Sequence, residues 1–301
     1  SSDLATEVQP ATITYKDQNG KTLGTKDLYE GDAIGETPYT EADLTIAEGQ
    51  KFRGWVYGSK VKVVATDVAT GNTTVSALVT DIESVAVGTV QTYDLTQKTF
   101  YPEDHETITI TGGSYYNNHG WTMDANGTIS VDVAGKAQVV VSECEYGSGT
   151  TFTVTDANSN VVAADVNAKA ASGADDASQA FQYDEATTLT LTFASQTFVH
   201  KISVYNVEEF PVKDEATGYF IVAPGDAGGL MLAFNEANST PDTKIFLPDG
   251  TYDFGEATSI GLSGTNTSII GQSTKAIIKN APPKEKEGLG SADMLLNTGS
   301  N

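Results

Sequence analysis

Apolar and polar residues alternate along this chain in short bursts. Ala11, Ile13 and Tyr15 alternate with Thr12, Thr14 and Lys16, then Asp17-Gln18-Asn19-Gly20 interrupts before Lys21 to Asp27 resumes an extended pattern. An Asn-Gly pair tolerates positive φ, so this stretch predicts a β-hairpin. Lys51-Phe52-Arg53-Gly54-Trp55-Val56 reads as another strand. Phe52 and Trp55 there close a small core, or Trp55 beside Arg53 serves as a ligand platform; core packing is the weightier reading. Three β-prone runs follow in residues 60–98, with a turn at Ala69-Thr70-Gly71-Asn72.

The strand rhythm is clearest over 99–208, where six or more β-prone runs are separated by Gly-, Asn- or Asp-rich connections such as Asp124-Ala125-Asn126-Gly127 and Asp156-Ala157-Asn158-Ser159-Asn160. That pattern predicts a β-sandwich of jelly-roll or related topology. Its inward faces should carry Ile129, Val131, Val133, Phe152, Val154, Leu189, Leu191 and Phe193, with Cys144 also inside. A charged connector, Pro211 to Gly218, leads to a third segment, 219–301. Leu230 to Asn238 is the best short helix pattern in the chain, and Asp226 is a candidate cap whose position the following glycines leave ambiguous. The short runs after it (Lys244 to Pro248, Ser259 to Leu262, Thr267 to Ile270, Ala276 to Ile278 and Met294 to Leu296) suit a coiled stack of parallel rungs with the helix covering the first. A small α+β domain is the other reading. Together these patterns predict an all-β protein with domains at 1–98, 99–208 and 219–301.

Charge narrows the partners. The chain carries 40 acidic against 17 basic residues, a net −23, and Arg53 is its sole arginine. Nucleic acid is therefore not an expected partner, because phosphate neutralisation needs clustered Lys or Arg. The middle segment is the most acidic, and such a field repels long polyanions unless a cation intervenes. A single cysteine permits no intrachain disulfide, and no run is long enough to cross a bilayer. The start at Ser1-Ser2-Asp3 lacks a basic and apolar leader; composition fits a cytosolic chain and a mature secreted chain equally.

Candidate chemistry is sparse. The three histidines match no zinc spacing, the acidic pairs lack the converging oxygens of a calcium loop, and no G-x-S-x-G elbow, P-loop or dinucleotide fingerprint is present. No metal, cofactor or catalytic residue is therefore assigned. Tyr115-Tyr116-Asn117-Asn118-His119-Gly120-Trp121 concentrates rings and amides in one loop. Tyr115, Tyr116, Asn118, His119 and Trp121 are the candidates for carbohydrate binding, since sugars are held by ring faces and polar side chains. Against this stands the plainer reading that Tyr116 and Trp121 plug one end of the sandwich.

Family resemblances add a direction. Ile13-Thr14-Tyr15 through Gly31-Asp32 to Phe52-Arg53-Gly54-Trp55 resembles the small β-grasp-like repeats of bacterial surface proteins, which implies a secreted, periplasmic or cell-surface location. Asn118-His119-Gly120, Gly127 to Val131, Cys144-Glu145-Tyr146-Gly147 and His200 to Val204 resemble β-sandwich domains ahead of catalytic domains in Bacteroidetes-type polysaccharide enzymes, for which carbohydrate binding is often supposed. Leu230 to Ala237, Ile245 to Tyr252 and Thr267 to Ser273 resemble the capping helix and first turns of a pectinesterase-like right-handed β-helix. In that family's Gly-x-Tyr-x-Glu motif Gly250 and Tyr252 match, whereas Phe254 replaces the glutamate, which also admits a pectate-lyase-like β-helix. The resemblance implies the accessory front of a secreted pectin-modifying esterase, with plant polysaccharide as partner and the catalytic aspartates and arginine beyond Asn301. Its exposed β-helix end would fray or pair with another chain. A non-catalytic surface adhesion or structural protein is the alternative.

Overall fold

In the computed structural model, which describes residues 8–58, 61–117, 120–145, 151–167, 177–255, 261–279 and 296–297, the first hairpin forms where the turn chemistry places it. β1 (Pro10–Lys16) pairs antiparallel with β2 (Thr22–Tyr29). The Asp17 carboxylate accepts the amides of Asn19 and Lys21 at 2.9 and 2.8 Å, which closes the turn between them. β3 (Gln50–Tyr57) and β4 (Thr73–Asp81) complete a four-stranded sheet of order β2-β1-β4-β3 with β1 and β4 parallel at its centre. Trp55 is 6% exposed, stands edge-on to Tyr15 at 5.8 Å and donates its indole N–H to the Tyr39 carbonyl at 3.1 Å. It is a core residue of this sheet. By contact the chain forms two compact units, and residues 101–106 belong to this first one with Ser1–Glu83. Lys62 meets Asp104 at 2.7 Å and lies 4.8 Å from the Tyr101 ring centre.

The second unit contains Ser84–Phe100 and Thr107–Asn301. Its sandwich is one nine-stranded sheet built from β5 (Val90–Asp94), β6 (Ile108–Tyr115), β7 (Trp121–Val133), β8 (Ala137–Glu145), β9 (Thr151–Thr155), β10 (Val161–Asn167), β11 (Ala177–Tyr183), β12 (Thr187–Phe193) and β13 (Thr197–Asn206). β7 turns the corner between layers. Its residues 128–133 lie between β6 and β12, while residues 121–123 keep β6 and exchange β12 for β13. β10 and β11, at the two ends of the strand path, lie beside each other, so the sheet nearly closes into a barrel. Alternation along β7, β9 and β12 sends Ile129, Val131, Val133, Phe152, Val154, Leu189, Leu191 and Phe193 into one core. Burial of such side chains is worth about 1.5–3 kcal/mol each, so this cluster dominates the stability of the sandwich. Cys144 lies on β8, but its side chain is outside the described set.

Beyond the sandwich come β14 (Val212–Lys213), β15 (Tyr219–Ile221), α1 (Ala227–Ser239), β16 (Lys244–Leu247), β17 (Gly250–Asp253), β18 (Gly261–Leu262), β19 (Ser268–Gly271), β20 (Ala276–Lys279) and β21 (Leu296–Asn297). Asp226 is the N-cap of α1, accepting the Gly229 amide at 2.7 Å. The expected helix-capped first rungs of a right-handed parallel β-helix are not formed. Strand pairing here is divided among three small sheets, β14-β15-β16-β19, β17-β20 and β18-β21, parallel except for the antiparallel β14-β15 pair, and no solenoid is built from the described residues. The physical reason lies in the core. Leu230, Ala233 and Phe234 of α1 pack with Ile245, Leu247 and Tyr252, so a helix fills the space against short strands and no repeating inward stack develops. The expectation of an exposed β-helix end lapses with the β-helix. No helix among the described residues is long and apolar enough to cross a membrane.

Candidate functional site at the β6–β7 end of the sandwich

The loop rich in rings and amides is the turn of the β6–β7 hairpin. Tyr115 pairs with Trp121 in register, and the Tyr116 amide donates to the Gly120 carbonyl at 2.9 Å. Asn117 has φ +49° and Gly120 φ +82°. Glycine is required at 120 for a second reason, because a Cβ there would come within 2.3 Å of the Val199 carbonyl oxygen on β13. The hairpin tip is thereby seated directly on the neighbouring strand.

That seat divides the aromatic residues. Trp121 is half-buried against the sandwich core, edge-on to Phe100 at 6.3 Å and 85°. Its indole Nε1 is buried without a hydrogen-bond acceptor among the described residues. Tyr115 is also half-buried, and its hydroxyl reaches toward the Thr96 carbonyl at 3.5 Å. Tyr116 is 52% exposed and tilted beside Phe198, with ring centres 5.9 Å apart. Asn118 and His119 lie outside the described residues. Thus the structure backs the exposed Tyr116 with the buried Phe198 and sets Trp121 into the protein.

Sequence reading missed Phe198, although a signal existed. Phe198 and Val199 are adjacent apolar residues in an extended strand, so they must face opposite sides. Val199 belongs to the sandwich core, whereas Phe198 reaches Tyr116. An exposed ring backed by a second ring offers an apolar platform of the kind that stacks against a flat or ring-shaped ligand. Among the described residues, no group of three or more His, Cys, Asp and Glu side chains could hold a metal ion.

No protein-family model and no curated protein matches this sequence. Among solved structures, the catalytic unit of a thermostable GH87 α-1,3-glucanase from Streptomyces thermodiastaticus strain HF3-3 is 13% identical with a TM-score of 0.30, over 65% of this chain and 41% of that one. CBM35 from Paenibacillus barcinonensis is 14% identical with a TM-score of 0.29, over 38% of this chain and 97% of that one. The C-terminal CBM6 of LamC, a marine laminarinase from Zobellia galactanivorans, is 10% identical with a TM-score of 0.25, over 38% of this chain and 98% of that one. The chain thus covers about two-fifths of the glucanase structure's length. The expected pectinesterase relationship is corrected, because the β-helix on which that resemblance rested is not formed among the described residues.

Proposed function

We propose that this chain is a carbohydrate-binding accessory region of a protein that acts outside the cytoplasm, and that it holds neutral glycans at the β6–β7 end of its sandwich. The observation that carries this reading is Tyr116, a large ring left 52% exposed on a hairpin tip whose backbone is fixed by the Gly120 contact and whose flank is covered by Phe198. A ring held in place loses little conformational entropy when a sugar face stacks on it. The acidity of the chain favours uncharged sugars over anionic ones. The role assigned is binding; no turnover is assigned to these residues.

Titration of the chain against a panel of neutral polysaccharides tests the reading. Tyr116→Ala should weaken binding by about tenfold, the equivalent of one lost stacking contact of about 1.4 kcal/mol, and leave the melting temperature unchanged. Trp121→Ala is the wrong probe, because truncating a ring packed on the core costs roughly 3 kcal/mol of stability or more. Failure to bind any neutral polysaccharide, or equal binding by Tyr116→Ala, would sink the proposal.

A further inference from the structure

The opposite end of the sandwich carries two concavities that meet at one side chain. β6 pairs with both ends of β7, Tyr115 with Trp121 and Ile108 with Val131, so those ends are separated by about 23 Å at ~3.3 Å per residue. Near the Val133 end, the β9–β10 turn and the end of β11 enclose a volume of about 520 Å³ lined by Asn158, Asn160, Val161, Tyr183, Asp184 and Glu185. Between the sandwich and α1 lies a second cavity of about 310 Å³, lined by Gln138, Phe210, Phe220, Leu232, Asn235 and Glu236. Gln182 lines both. It is paired across β11 and β8 with Gln138, so two amides stand side by side where the cavities meet.

The first cavity is pre-organised from beneath. Asp156, only 8% exposed, accepts the Asn160 side-chain amide at 2.8 Å and the Tyr183 hydroxyl at 3.1 Å, together with the backbone amides of Asn158 and Asn160. The Asn160 amide above all, helped by these other donors, holds the Asp156 carboxyl below its ordinary range despite its burial. Asn160 and Tyr183 are therefore fixed before any ligand arrives, with the side-chain oxygen of Asn160 placed as an acceptor. Val161, exposed, and the half-buried Phe210 and Phe220 supply apolar surface along the same path.

We propose that the two concavities form one elongated groove that binds a neutral oligosaccharide, at a site distinct from Tyr116. The lining itself selects the ligand. Amides that both donate and accept, and carboxylates at Asp184, Glu185 and Glu236, match vicinal hydroxyls, and the rings and aliphatic side chains match the C–H faces of sugar units. No lysine or arginine lines either cavity, so an anionic chain finds no counter-charge. Two chambers in series imply that successive units of one ligand occupy them, which ties affinity to chain length. The groove does not depend on the Tyr116 reading, because its ligand class follows from its own lining.

Titration of the full chain with neutral gluco-oligosaccharides of two to six units tests this, using Gln182→Ala, Gln182→Trp and Tyr116→Ala. Gln182 is exposed on β11, so both substitutions there should leave the melting temperature unchanged. The expected result is an affinity that rises by about tenfold from disaccharide to tetrasaccharide in the wild type and in Tyr116→Ala, with that gain lost in both Gln182 variants. Three results would overturn the groove: no length dependence, wild-type binding by Gln182→Trp, or no oligosaccharide binding by Tyr116→Ala. Stronger binding of an uncharged peptide than of any oligosaccharide would overturn it as well. Loss of binding in Tyr116→Ala alone sinks the groove and leaves the hairpin site standing, whereas loss of the length-dependent gain in the Gln182 variants alone supports the groove and leaves the hairpin site to its own polysaccharide titration.

Discussion

Arg53, the sole arginine, has a side chain only 1% exposed, with its Nε donating to the Thr80 hydroxyl at 3.0 Å. Its two terminal nitrogens have no hydrogen bond among the described residues, and Glu106 stands 3.9 Å from Nη1 while meeting Lys51 at 2.7 Å. A buried cation so weakly paired costs about as much to desolvate as it recovers. Arg53→Met should therefore leave stability within about 1 kcal/mol of the wild type or raise it, whereas Glu106→Ala should cost about 2 kcal/mol by leaving the cation alone. Urea unfolding of the two variants checks the contrast. Asp226 is another buried charge, 1% exposed. Burial pushes its carboxyl above the ordinary 3.8, against the opposing hydrogen bonds from the Gly229 and Glu208 amides. An acid with a raised folded pKa contributes stability that is complete below its unfolded pKa and is lost as pH rises through the folded value. Asp226→Asn retains a carbonyl acceptor but cannot ionise. Its stability relative to the wild type should therefore improve as pH is raised from about 3 to about 7, and parallel melting curves across that range would contradict the assignment.

The elements were legible in proportion to how local their causes are. The β1–β2 hairpin needed only Asp17 to Gly20, and the alternation in β7, β9 and β12 identified eight core residues. The start of α1 was ambiguous because Asp226 is followed closely by two glycines, and only their surroundings explain them. A Cβ on Gly228 would lie 2.1 Å from the Asn206 carbonyl oxygen, so the first turn of the helix sits directly on the end of β13. Gly228→Ala would gain about 1 kcal/mol of helix propensity, yet the backbone must shift to admit the methyl group. The clash should win, giving a net loss of about 1–3 kcal/mol in thermal or denaturant unfolding. The short strands after α1 misled because brief parallel runs look alike in sequence whether they stack as rungs or divide among separate sheets. What decided between them was α1 occupying the core beside Ile245, Leu247 and Tyr252.

Over the whole molecule, the net charge of −23 acts on every partner at once. Hydrogen bonding and stacking to a neutral glycan are short-ranged, so affinity should change by less than about twofold between low salt and about 0.5 M salt. A polyanionic glycan should bind only when a divalent cation is supplied, and binding assays with and without a chelator separate the two cases. Composition determined this electrostatic character by itself, because charge adds over the chain regardless of its path. Sequence likewise determined the β character and most of the sandwich core, since period-two alternation is a local property. Only the tertiary structure brought residues 101–106 into the first unit, set Phe198 beside Tyr116, placed Gln182 between two cavities and removed the β-helix. Each of these depends on residues far apart in the chain meeting, and pattern along the sequence records which face a side chain takes but not what it will find there.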